Sequence, residues 1–158
     1  MKKLLMPVAA VLLLLGLTAS VALALDRAEF VAAVEPICKT NRDANDKILT
    51  GVRADVKADN LDKAAKKFAR AAKALKRTRL ELLKVEQPPE DAPLLTRWLK
   101  GVKTEAELFE AVSRKLAHGE KTAAQRMVAR LVGNAKRTNN LVLEFNFHYC
   151  VFPVASYL

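Results

Sequence analysis

The sequence predicts an all-α protein, an up-down-up-down antiparallel four-helix bundle following an N-terminal signal peptide. Three observations carry this expectation. The chain is rich in Ala, Leu, Lys, Arg and Glu and holds only 5 Gly and 6 Pro in 158 residues, a balance that favours helix and leaves few tight turns. Apolar residues recur at steps of three and four. The breaks in that pattern are short, which places consecutive helices side by side and antiparallel. One core and one domain are expected, over residues 25–158.

The first 24 residues read as a signal peptide. Met1-Lys2-Lys3 is a short positive start, Leu4 to Leu17 is an apolar run, and Ala22-Leu23-Ala24 sets small residues before a cut after Ala24. An uncleaved anchor is the second reading, because the 20 uncharged residues from Met6 to Leu25 span about one membrane. Export to a periplasmic or extracellular location follows. Loss of Lys2 and Lys3 lowers the formal charge from +10 to +8. A basic exported protein favours an anionic membrane surface, an acidic cell-wall polymer or an acidic protein as partner; nucleic acid is not expected.

The first helix is expected from about Asp26 to Lys57, with Phe30, Val34, Ile37, Asn41, Ala44, Ile48, Val52 and Val56 inward. Pro36 predicts a kink or a short lead-in helix ending near Val34, and Gly51 is a weak point within the pattern. The turn is Ala58-Asp59-Asn60, with Asp59 or Asn60 as cap. The second helix carries Leu61, Phe68, Leu75 and Leu82 at heptad spacing and stops at Gln87-Pro88-Pro89. The third starts at Glu90-Asp91 with Pro93 in its first turn, buries Leu95, Trp98, Val102, Ala106, Phe109, Val112 and Leu116, and ends at His118-Gly119. The fourth, capped by Thr122, buries Ala124, Met127, Leu131, Ala135, Thr138, Leu141 and Phe145 and runs to Asn146.

Outside the cytoplasm two cysteines point to a disulfide, and Cys38 and Cys150 allow only one intramolecular pairing. The bond requires the C-terminal tail to double back over the base of the bundle. No metal or cofactor is expected: the only histidines are His118 and His148, no CxxCH occurs, and Glu144 with His148 finds no matching pair on another helix. Catalysis finds little support, since Ser113 and Ser156 lack an evident base, and the protein is read as no enzyme. Glu105 falls on the seam of the third helix, where such a residue usually reaches the rim or pairs with a base such as Arg79; a buried acid is the alternative. Asn41, Thr78 and Thr138 are polar seam positions that fix register.

Two sets of residues are candidate surfaces. Lys63, Arg70, Arg77 and Lys84 share one heptad position on the second helix, with Lys66 and Lys73 alongside. They suit anionic-surface binding, or simply form a solvated face. Phe147, Tyr149, Phe152 and Tyr157 belong to an aromatic C-terminal segment, which reads either as a plug against Phe30 and Trp98 or as a partner surface. The function expected is therefore a non-enzymatic binding or interaction module of the cell envelope; the alternative is a small-ligand or cofactor-binding bundle with a pocket near Asn41 and Glu105.

The run Val34-Glu35-Pro36-Ile37-Cys38 with Asn41, the Pro-rich break after the second helix and the late Cys150 resemble exported bacterial helical-bundle proteins of uncharacterised activity, which carry an Ile-Cys near the mature start and a Cys near the end. The resemblance implies a secreted helical fold and assigns no functional residue.

Overall fold

The computed structural model describes residues 25–157; the expected signal segment and its cut after Ala24 lie outside them. Five α-helices follow in order: α1 (Arg27–Leu49), α2 (Val52–Lys57), α3 (Leu61–Leu82), α4 (Ala92–Ala117) and α5 (Lys121–Asn140), then two 3-10 turns at Leu143–Phe145 and Val154–Ser156. They build the expected four-helix bundle, with α1 and α2 together forming its first rod.

Asp26 starts α1 through a capping box: it accepts from the Glu29 N–H at 2.8 Å, and its own N–H donates to the Glu29 carboxylate at 3.0 Å. The helix continues through Pro36, so of the two outcomes expected there, a kink or a short lead-in helix, the lead-in helix does not form. Its buried stripe is Phe30, Val34, Cys38, Asn41, Asn45 and Leu49. That rotates by one residue from the expected Ile37, Ala44 and Ile48, which are only partly buried. The rotation follows from two neighbours at once: α3 covers one side of α1 and the C-terminal tail the other.

The rod breaks where continuity was expected. Gly51 takes φ 71°, a left-handed conformation that ends α1 and re-aims the chain into α2. Lys67 of α3 bridges the break, donating to the Thr50 carbonyl at 2.6 Å and pairing with Asp55. Lys63 binds the other oxygen of the buried Asp55 at 2.8 Å, and the two ammonium groups hold that carboxyl below its usual range. Neither Asn60 nor Thr122 caps a helix through its side chain; α5 begins at Lys121 with Glu120 as N-cap.

Small residues set the helix spacing. Ala64, Ala65, Ala71 and Ala72 are buried on α3, and α4 comes close enough for Ser113 Oγ to donate to the Ala65 carbonyl at 2.8 Å. Between α4 and α5 a Cβ on Gly101 would stand 2.2 Å from Thr138 Oγ1, and Asn134 donates to the Gly101 carbonyl at 3.0 Å. At the base, Arg27 grips the buried Asp91 through two bonds of 2.8 and 2.6 Å and lies 4.9 Å over the Phe145 ring.

α5 ends at Asn140, six residues short of the expected Asn146. Asn146 does take the left-handed conformation expected of it, at φ 51°, but as the end of the first 3-10 turn. From there the chain turns upward and runs along α1 in the gap between α1 and α5, two helices with few direct backbone approaches to each other. No helix among the described residues is long and apolar enough to cross a membrane.

Candidate functional site

On α3 the core side and the charged side are opposite faces of one helix. Phe68, Leu75 and Leu82 point inward. Lys66, Arg70, Lys73 and Arg77, at steps of four, three and four, are exposed on the other face and form no ion pair among the described residues. At 1.5 Å per residue they make a cationic row about 16 Å long. Leu80, 57% exposed, continues the same row, and Leu83 is exposed just beyond the helix. The other two bases singled out in the sequence differ. Lys63 is tied to Asp55 and Lys84 to Glu81 at 2.7 Å, so each end of the expected six-residue stripe is partly neutralised.

The tail residues divide differently from the expected surface. Phe147 and Phe152 are buried, so neither can present a partner surface. Phe147 stacks on Trp98 at 5.6 Å and on Phe145 at 5.2 Å, with Phe30 at 6.5 Å. This is the plug reading, and it comes from the apolar stacking area available at the base. Tyr149 and Tyr157 are half-buried; the Tyr157 hydroxyl donates to Asp46 at 2.6 Å, and burial with that carboxylate pushes its ionisation up. Cys38 and Cys150 form the expected disulfide, with Cα atoms 5.0 Å apart.

An irregular segment between helices has no ladder for its backbone polar groups, so side chains supply partners. The Glu35 carboxylate accepts from His148 N–H at 2.7 Å and Tyr149 N–H at 2.9 Å. Asn139 holds Phe152, Arg42 donates to the Val151 carbonyl, and Arg53 donates to the Ala155 carbonyl at 3.2 Å. These partners carried no periodic signal and were not singled out in the sequence.

Glu105 sits 1% exposed on α4 and forms no ion pair among the described residues; Arg79, its expected partner, donates to the Leu99 carbonyl instead. Burial alone pushes the Glu105 carboxyl up to about 8, so it is neutral at pH 7. Among the described residues its Oε2 has no hydrogen-bond partner, nor have Asn41 Nδ2, Asn45 Oδ1 and Trp98 Nε1. Asn45 reaches Asn41 only at 3.4 Å. Among the described residues no three His, Cys, Asp or Glu side chains gather as a metal site.

No family model, curated protein or solved structure matches the chain.

Proposed function

We propose that the protein is an exported, non-enzymatic module of the cell envelope that docks on an anionic membrane surface through α3. The observation that carries this reading is the unpaired row Lys66, Arg70, Lys73 and Arg77 on one exposed helix face. Like charges at helical spacing repel by a few tenths of a kcal/mol per pair, and a surface of lipid phosphates relieves that repulsion. Leu80 at the end of the row favours lipid over wall polymer or acidic protein, because it offers an apolar group to the acyl boundary beside the cations.

Export rests on the signal-like start and on the Cys38–Cys150 bond, which suits an oxidising compartment. The capping box at Asp26 starts α1 two residues after the expected cut, which suits a mature chain beginning at Leu25. N-terminal sequencing of the protein from its own cells is expected to begin at Leu25; an intact Met1 in the membrane fraction means an anchor instead.

Co-sedimentation with vesicles tests the docking. Binding is expected to phosphatidylglycerol-containing vesicles at low salt, not to phosphatidylcholine alone, and to vanish at about 1 M salt, where the screening length is roughly 3 Å. Equal binding to both lipids, or none to either, overturns the reading.

A further inference from the structure

The tail lies in the seam between α1 and α5 from the base upward to its second 3-10 turn, where Arg53 holds the Ala155 carbonyl. Beyond that turn the seam is open among the described residues. A cleft of about 450 Å³ lies there, within the range of small-molecule sites, roughly 300–1,000 Å³. Its floor is core: Phe68, Val112 and Leu116 are each at most 2% exposed. Val56 of α2 and Val128 of α5 form partly buried walls. The charged residues along the cleft are Arg53, Lys57 and Lys121, all positive, with no carboxylate among the lining. Lys121 is paired outside the cleft with Asp59 at 2.6 Å, whereas Lys57 forms no ion pair among the described residues.

We propose that this cleft binds a free single-chain anionic amphiphile, a fatty carboxylate, with the alkyl chain on Phe68, Val112 and Leu116 and the carboxylate at Arg53 and Lys57. An apolar floor with a purely cationic rim matches a ligand that is apolar along its length and anionic at one end. A cationic amphiphile of the same length meets repulsion at the rim, and a sugar or peptide finds too few polar partners on the floor. Gly51, at φ 71°, starts α2, which supplies Val52, Arg53, Val56 and Lys57 to the cleft. The site is separate from the cationic row, because Phe68 and that row lie on opposite faces of α3.

Isothermal titration of the disulfide-bonded protein with dodecanoate, below its micellar concentration, tests this. One equivalent is expected to bind saturably, with dodecyltrimethylammonium weaker by about tenfold or more. Val128→Asp is expected to abolish dodecanoate binding at unchanged helix content; Val56→Asp serves if the first variant unfolds. Arg53→Gln with Lys57→Gln is expected to weaken binding by about tenfold. The variant with Gln at Lys66, Arg70, Lys73 and Arg77 is expected to bind dodecanoate like wild type, which separates this site from membrane docking. Absence of saturable dodecanoate binding overturns the proposal. So does equal affinity for the cationic chain, or a dimer that Val128→Asp converts to monomer, which would make the cleft an interface between copies.

Discussion

Asn139 of α5 holds Phe152 of the tail with both ends of its side-chain amide: Nδ2 donates to the Phe152 carbonyl at 3.0 Å, and Oδ1 accepts from the Phe152 N–H at 3.1 Å. The pair imitates one rung of a strand ladder between a side chain and an irregular backbone. On the opposite side Cys150 is bonded to Cys38 of α1. The tail is thus fastened to both helices whose gap it fills, and it covers the core between α1 and α5.

Asn139→Ala is therefore expected to cost about 1–3 kcal/mol, because it leaves two backbone groups of Phe152 without partners in a partly buried place. Hydrogen exchange at the Phe152 amide reads the effect directly and is expected to accelerate there more than in α3. Unchanged exchange at Phe152 would mean the amide pair does not hold the tail.

Removing the disulfide with Cys38→Ala and Cys150→Ala is expected to lower stability by about 4–5 kcal/mol in the chain-entropy account, given a separation of 112 residues. The loss is expected to fall on α1 as well as on the tail, since Cys150 lies against the buried Val34 and is bonded to the buried Cys38. Thermal unfolding followed by circular dichroism, with and without the bond, gives the measurement. A change of less than about 1 kcal/mol would show that the tail stays in its groove without the bond.

Gly101→Ala is expected to destabilise by about 1–3 kcal/mol, although Ala is ordinarily the better helix residue. Its Cβ would meet Thr138 Oγ1 at 2.2 Å and Cγ2 at 2.7 Å, and a β-branched side chain on a helix has little rotamer freedom to move away. Adding Thr138→Ala removes both atoms and is expected to restore part of the loss. A double-mutant cycle in denaturant measures this coupling, and strict additivity would refute the close approach.

Glu105 makes stability fall with rising pH. Its folded-state carboxyl is raised to about 8 from an ordinary 4.5, so the folded protein holds the proton more tightly than the unfolded chain. The contribution is fully present below pH 4.5 and is lost as pH rises toward 8, amounting to about 3 kcal/mol by pH 7. Glu105→Gln is expected to remove that loss, so the stability difference between variant and wild type grows from pH 5 to pH 8. Parallel pH profiles for the two proteins would contradict a buried, proton-holding Glu105.

The parts of this fold legible in the sequence are those with periodicity or punctuation. Leu61, Phe68, Leu75 and Leu82 announce α3, Pro88-Pro89 marks the break before α4 although α3 already ends at Leu82, and His118-Gly119 ends α4. The Cys38–Cys150 pairing followed from the expectation of export and from the lack of any other cysteine in the sequence. The break at Gly51 was not legible, because it depends on Lys67, a residue of another helix, to satisfy the Thr50 carbonyl. The tail's path was half legible: its aromatic residues indicated a plug, but its run up α1 is set by Glu35, Arg42 and Asn139, which show no pattern along the chain. The cleft draws its lining from four helices, α2, α3, α4 and α5, and so had no sequence signature. The cationic row was visible, yet its ends at Lys63 and Lys84 were neutralised by acids that only the fold brings near.

Docking on anionic lipid rests on the row Lys66, Arg70, Lys73 and Arg77 of α3, which forms no ion pair among the described residues. Vesicle affinity of the variant carrying Lys66→Gln, Arg70→Gln, Lys73→Gln and Arg77→Gln tests it most directly. Each base near an anionic surface is worth about 1 kcal/mol, so the variant is expected to lose about a hundredfold to a thousandfold in affinity at low salt while melting like wild type. A variant that melts normally and still binds phosphatidylglycerol vesicles as tightly as wild type would contradict the account and leave the row a solvated helix face.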